Sequence, residues 1–397
     1  PEDFLMPDDT LVITTPAIPD THKEMEYFKS GKFNIYKRAE ILGLLTMGRK
    51  AICIAGTHGK TTVSAMVAWL MHHSDSGCSA FLGGISKNFN SNFIRSGSSG
   101  YIIVEADEYD RSFLRLYPDI AVVTAADADH LDIYGSWEEL RKSFGVFISQ
   151  IRQDGKLVIK EGIKLEVRNH GIEVYTYSLN GQADYHAEHI RLENDRYYFD
   201  VVTPFEVIQN LSLSHPGLVN VENAVAAVAV TTLAGLSRDR IKNALAEFTG
   251  IRRRFDVIHH TGKVVYIDDY AHHPKELDAI IESVSRLYPG KKITGIFQPH
   301  LYSRTRDFAA DFAQSLGKLD ELILLDIYPA RELPIEDVSS ELIFKNVMLE
   351  HKALTAKDDL MEILEKKEFE VLITMGAGDI DTFIEPIKQL IIKKYGN

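Results

Sequence analysis

The sequence predicts an α/β protein of several domains, built from mostly parallel sheets flanked by helices. Three observations carry this. Short apolar runs alternate with segments of helical spacing along most of the chain, a glycine turn joins the first such run to its helix, and a second cycle of the same kind opens after "GIRRRFDV" (250–257).

The elements follow in order. The opening "PEDFLMPDDTLVITT" reads as a loop feeding a strand in the middle of a fold, so N-terminal sequence is expected to be missing. "KAICIAG" (50–56) is a buried strand, after which Val63, Met66, Val67, Leu70 and Met71 recur at helical spacing. "YIIVEAD" (101–107) and "IAVVTAA" (120–126) are further strands. Ser136 with Glu139 three residues on forms a capping box that opens a helix. From about 156 to 213 the pattern becomes β-rich, and the Ala- and Val-rich "NAVAAVAVTTLAG" closes the block as a helix.

The second cycle runs through "VVYIDDY" (264–270), a helix from Pro274, "ITGIFQP" (293–299), a helix from Arg304, "LILLDIYP" (322–329) and "VLITMGAGD" (371–379). That is an open α/β sheet of its own. Domain boundaries are therefore expected near 48 and near 251, with the arginine-rich turn as the join.

Composition narrows the function. Of 397 residues, 45% are hydrophobic and 25% charged, an ordinary globular balance, and the formal net charge of -13 argues against a nucleic-acid partner, which would need clustered Lys and Arg. Two cysteines, Cys53 and Cys78, exclude a disulfide framework and a multi-cysteine metal site and suit a reducing cytoplasm. No run approaches a membrane span in length.

The chemistry gathers at strand ends. "CIAGTHGKTTVSAM" (53–66) departs from the usual nucleotide loop, because Ile54 stands where G-x-x-x-x-G-K-[ST] has its first glycine. Yet a strand ending at Gly56 and a helix starting near Thr61 surround one point with backbone N–H groups and the positive helix end, which binds phosphate. Lys60 would then reach the terminal phosphates and Thr61 a magnesium ion. Glu105 in "VEADEYD" and His130 in "ADADHLD" close neighbouring strands, where a carboxylate and an imidazole suit a metal bridging phosphate and a second substrate.

"DDYAHHPKE" (268–276) lacks a third local ligand for zinc. Asp269 is read as meeting a ribose or phosphate-linked group, with Tyr270, His272 and His273 facing a second substrate. "QPHLYSRTRD" (298–307) adds His300, Arg304 and Arg306. Arginine captures carboxylates in bidentate fashion, so an amino acid or other carboxylate fits Arg304, while Arg306 is balanced between that role and an ion pair with Asp307.

Together, Gly-Thr-His-Gly-Lys-Thr (56–61), "EADEYDRSFL" (105–114), "DADHLDIYG" (127–135), "DDYAHHP" (268–274), "FQPHLYSRTRD" (297–307) and "MGAGDI" (375–380) resemble the Mur ligases, nearly over the whole chain. The resemblance implies a remnant of a Rossmann-like UDP-sugar domain at 1–48, a central ATPase domain at 49–251 and a Rossmann-like C-terminal domain at 252–397. It implies ATP and Mg2+ as cofactors, and the nucleotide contacts Gly56, Thr57, His58, Gly59, Lys60, Thr61, Thr62, Asn220, Asn223, Arg254 and Asp269. Magnesium would meet Thr61, Glu105 and His130. Lys60, His130 and Arg304 would be catalytic, with Tyr270, His272, His273, His300 and Arg304 on substrate.

The activity implied is ATP-dependent joining of L-alanine to UDP-N-acetylmuramate through an acyl phosphate, for peptidoglycan and hence cell-wall growth and division, by a cytoplasmic monomer or homodimer. Two alternatives stay open: a recycling ligase that attaches a tripeptide to the same sugar nucleotide, and a nucleotide-binding regulator without ligase activity. Val219 and Leu301 depart from the family pattern, which has a histidine and an arginine at these places.

Overall fold

The structure, a computed structural model, describes residues 7–15, 18–19, 21–75, 77–96, 100–127, 131–194, 196–330 and 332–396, without the side chains of Asp110, Leu131 and Asp132. The chain divides into two compact units. One comprises Pro1–Arg191, Tyr198–Leu213 and Val221–Phe248, and the other Leu192–Tyr197, Ser214–Asn220 and Thr249–Asn397.

In the first unit, β1 (Leu11–Thr14) and β2 (Asn34–Lys37) form a small parallel sheet. The large sheet takes β3 (Lys50–Ala55), β4 (Cys78–Ser86), β5 (Ser91–Ile94), β6 (Tyr101–Glu105), β7 (Ile120–Val123), β8 (Lys156–Lys160), β9 (Glu173–Ser178), β10 (Tyr185–Glu193), β11 (Arg196–Val202) and β12 (Val207–Leu213). Its order is β12-β11-β10-β9-β8-β7-β3-β6-β4-β5. Strand β3 runs parallel to both neighbours, pairing Ile54 with Glu105 on one side and with Val122 on the other. The connection after β3 leads to β4 on one side and the connection after β7 to β8 on the other, which makes the carboxyl ends of β3 and β7 the switch point where open α/β sheets place ligands.

Burial explains the composition of these elements. Ala51 to Ala55 are 0% exposed, so β3 is covered on both faces and reads as an unbroken apolar run. Helix Leu218–Leu233 holds Val221 and Ala224 to Val230 fully buried, which is why its Ala/Val stretch shows no polar face. Ser136 accepts the Glu139 N–H at 3.3 Å and caps Trp137–Ser149, which is one half of the expected capping box; the Glu139 carboxylate accepts from Lys142 Nζ at 2.6 Å.

The second unit holds β13 (Asp256–His260), β14 (Val265–Asp269), β15 (Ile293–Phe297), β16 (Glu321–Leu325), β17 (Lys352–Thr355) and β18 (Val371–Met375), in the order β13-β14-β18-β15-β16-β17. Only β13 is antiparallel to its neighbour. Val265, Ile267, Leu322, Leu324, Val371 and Ile373 face one core, and Tyr266, Ile323, Leu325 and Leu372 the other, as the period of two requires for a sheet with helices on both sides. The strands are shorter than the apolar runs suggest. At "IAVVTAA" the ladder stops at Val123: Thr124 N–H still meets Ala55 O at the end of β3, but Ala125 O turns to Thr57 N–H in the glycine loop and Ala126 O to the Trp137 indole.

Candidate active site

The loop after β3 is shaped by two glycines. Gly56 has φ 136°, and a Cβ there would lie 2.2 Å from Thr124 Oγ1, so close passage under β7 needs glycine. Gly59, at φ 82°, precedes helix Lys60–His72 without any side-chain cap and with no acidic residue in the first turn. The first N–H groups and the positive helix end are therefore left for an anion.

The loop is tied to the β7 exit. Thr57 N–H donates to Ala125 O at 3.1 Å, Asp127 N–H donates to Thr57 Oγ1 at 3.1 Å, and Thr124 donates to the carbonyls of Ala55 and His58. His58 Nε2 stands 3.8 Å from Asp127 Oδ2. Thr62 is buried in the first turn of the helix, one residue past the pair on which the chemistry centres. On the other side, Asn223 Oδ1 lies 3.1 Å from where a Gly59 Cβ would be, so this asparagine does border the loop. Asn220 is one turn earlier on the same helix and donates to Pro216 O.

Glu105, at the end of β6, accepts from Thr61 Oγ1 at 3.0 Å and from Gly83 N–H at 2.8 Å. Burial raises its pKa, against the opposing pull of Lys60. Lys60 Nζ makes contacts of 2.9 and 2.8 Å to the two oxygens of Glu108 and stands 3.9 Å from Asp107. Burial pulls the Lys60 pKa down, but Glu108, Asp107 and Glu105 outweigh it and hold the ammonium above its ordinary value. A hard cation takes oxygen ligands, and the Thr61 hydroxyl beside the Glu105 carboxylate offers two, leaving other positions to phosphate and water. These residues fit Mg2+. His130, the third expected contact, lies outside the described residues.

The second unit builds a different cluster. Asp268, 0% exposed, is held by Arg253 Nε at 3.3 Å and the Thr374 hydroxyl at 2.6 Å. Asp269 accepts the N–H groups of Phe255 at 2.6 Å and Ala271 at 2.7 Å, so it clamps the arginine-rich turn in addition to any ligand it meets. Burial pushes both carboxyls up to about 6. The Tyr270 ring has the guanidinium of Arg253 at 5.1 Å and that of Arg254 at 4.9 Å.

His272 lies 5.2 Å from the Tyr270 ring and 5.9 Å from the His300 ring, and His300 stacks on Tyr328. Burial, aided by Arg304 and Arg254 and opposed by Glu276, pushes the His272 pKa down to about 3, so it is neutral near pH 7. Its Nδ1 is 2.9 Å from Tyr270 O, which places the proton on Nδ1 and the lone pair on Nε2. Leu301 takes a positive φ of 70° and donates its N–H to Tyr328 O at 3.0 Å, turning the chain just before Arg304, which is 8% exposed.

One expectation changes, and one open alternative is decided. His273 does not join the cluster; it is 4% exposed, caps helix Pro274–Leu287 and packs on Phe308, because extended backbone sends adjacent side chains opposite ways. Arg306 is the ion pair, its Nε 2.7 Å from Asp307 at 53% exposure. Sequence reading missed Glu108 and the Arg253–Asp268 pair. The only available signal was their place in an acidic run and an arginine run, which does not say which member turns inward.

A strand, uncapped loop and switch-point carboxylate followed by a second α/β unit define a class, the Mur ligases, and the chain belongs to this family. Residues 54–231 match the Mur ligase middle domain, and 253–378 the Mur ligase glutamate ligase domain. Within the family the chain is similar to the UDP-N-acetylmuramate–L-alanine ligase of Parabacteroides distasonis, 51% identical with 99% of this chain and 85% of that one covered. It is also similar to the solved UDP-N-acetylmuramate–alanine ligase of Thermotoga maritima, at a TM-score of 0.82 and 26% identity, covering 99% of this chain and 87% of that one. A further Mur-family ligase from Thermotoga maritima, solved with ADP, shares the fold at a TM-score of 0.71 and 15% identity over 97% of this chain and 94% of that one.

Proposed function

We propose that the protein is an ADP-forming carbon–nitrogen ligase that joins L-alanine to the lactyl carboxylate of UDP-N-acetylmuramate in peptidoglycan synthesis. The observation that carries the reading is the Thr61 hydroxyl 3.0 Å from Glu105 at the mouth of an uncapped helix that begins with Lys60. The substrates are those in the names of relatives such as one 51% identical over 99% of this chain. The domain bounds we adopt are 1–48, 49–251 and 252–397.

The substrate carboxylate attacks the γ-phosphorus of ATP, ADP leaves, and the resulting acyl phosphate is opened at its carbonyl carbon by the alanine amine, releasing phosphate. The helix N–H groups and Lys60 stabilise charge on the transferred phosphoryl group. Thr61 and Glu105, with His130, would hold Mg2+, which when bound supplies further neutralisation of that charge. Asn220, Asn223, Arg254 and Asp269 are assigned to the nucleotide. Arg304 is assigned to the amino-acid carboxylate, and Tyr270, neutral His272 and His300 to the substrate's surroundings. A cytoplasmic location and a monomeric or homodimeric state complete the proposal.

The test is ADP release from the protein with ATP, Mg2+ and UDP-N-acetylmuramate, offering L-alanine, L-serine, glycine or the tripeptide in turn. Stimulation by L-alanine above the others is expected. Stimulation by the tripeptide alone moves the protein to the recycling reaction, and no stimulation by any acceptor removes ligase activity.

A further inference from the structure

The catalytic reading gives Lys60 to phosphate, yet in this structure the ammonium is already engaged. Glu108 presents both oxygens to it, at 2.9 and 2.8 Å, from a side chain that is fully buried. Asp107, by contrast, stands at 3.9 Å with a side chain 42% exposed, and Glu105 is taken by Thr61 and Gly83.

Glu108 is also fixed from behind. Its carbonyl accepts the Arg111 N–H at 2.9 Å and the Tyr134 hydroxyl at 2.6 Å, and it leads directly into the turn Tyr109–Arg115. These bonds hold the Glu108 backbone, and the full burial of its side chain leaves the carboxylate little room to leave Lys60. Lysine, on a four-carbon stem, is the partner free to move.

We propose that Glu108 is the resting counter-ion of Lys60 and a positioning residue that competes with the terminal phosphate of the nucleotide for the same ammonium. This rests on the reading of the 56–61 loop as the phosphate site. A buried ammonium left unpaired is costly, so Lys60 leaves Glu108 only as phosphate arrives and returns to it as product departs. Measured nucleotide affinity is then what remains after the Lys60–Glu108 pair has been broken. The arrangement guards against a ligand held too tightly to be released.

The experiment uses the full chain with Glu108→Gln, which keeps the shape and removes the charge. Calorimetric titration with the non-hydrolysable analogue AMP-PNP and Mg2+ is expected to show a Kd about tenfold lower than in the parent, the scale of a close buried charge pair. The nucleotide-free variant should melt below the parent, and the rise in Tm at saturating AMP-PNP should be larger. Asp107→Asn should tighten binding by less than about threefold, as for an exposed partner.

Equal or weaker binding by a folded Glu108→Gln overturns the exchange. If that variant does not fold, Glu108→Asp withdraws the carboxylate by one methylene and should tighten binding to a smaller degree; no tightening overturns it equally. A parent that takes up no AMP-PNP at all refutes the phosphate site, and this inference with it. A parent that binds alongside an unchanged Glu108→Gln refutes only the exchange.

Discussion

The two units solve the same electrostatic problem in opposite ways. The loop after β3 leaves its helix N–H groups without a cap and gathers three carboxylates, Glu105, Asp107 and Glu108, around one lysine, so the site is acidic until a cation or a phosphate alters the balance. The cluster after β14 pairs its charges within itself: Arg253 with Asp268 and Asp381, Arg254 with Glu276, Asp269 with two backbone N–H groups. The first is built to be completed by a ligand. The second is built to stay fixed while a ligand rests on it, and the difference predicts how each responds to mutation.

The largest effect is expected at the unfinished site. Lys60→Ala should lower ADP formation by about a thousandfold, the scale of losing a preorganised donor at a developing anion, with circular dichroism and cooperative melting preserved. Retained turnover in a folded variant breaks the assignment of the loop. Next comes Arg304→Lys, which keeps the charge but loses the planar fork. The KM for the amino acid should rise about tenfold or more while nucleotide affinity holds. A change in nucleotide affinity instead would show that Arg304 supports the fold of the nucleotide contacts and not the carboxylate.

How much of this was legible in sequence follows from the same contrast. The loop could be read because its chemistry lies in the backbone: Gly56 and Gly59 mark the turn, and Gly-Lys-Thr between an apolar run and a helical one leaves little choice of geometry. The Ser136 cap is legible for the same local reason. Side-chain clusters are not local. "EADEYD" offers four carboxylates of equal standing, and only the fold, through the turn Tyr109–Arg115, decides that Glu108 is the one against Lys60. In "AHHP" the two histidines look equivalent until the start of helix Pro274–Leu287 sends His273 into the cap and leaves His272 beside Tyr270 and His300. The end of β7 is not legible because Ala125 and Ala126 continue the apolar run, while their carbonyls serve Thr57 N–H and the Trp137 indole.

The smallest effect sharpens the comparison from the satisfied side. Pairing in the second cluster does not cancel the cost of burial: Asp268 titrates at about 6 in the folded protein against an ordinary 3.8, so the fold favours its protonated form despite Arg253 and Thr374. A carboxyl with a raised folded pKa gives stability that is full below pH ~4 and is lost as pH rises through about 6. Asp268→Asn has no such loss. The unfolding free energy of the parent minus that of the variant should therefore fall between pH 4 and pH 7, by at most about 3 kcal/mol for a shift of roughly two pH units. Denaturant melts of both proteins at pH 4, 5, 6 and 7 read this directly, with the neighbouring Asp269 present in each. A difference that rises with pH would mean that the Arg253 ion pair outweighs desolvation, and that the second cluster, like the first, stores its charge for use.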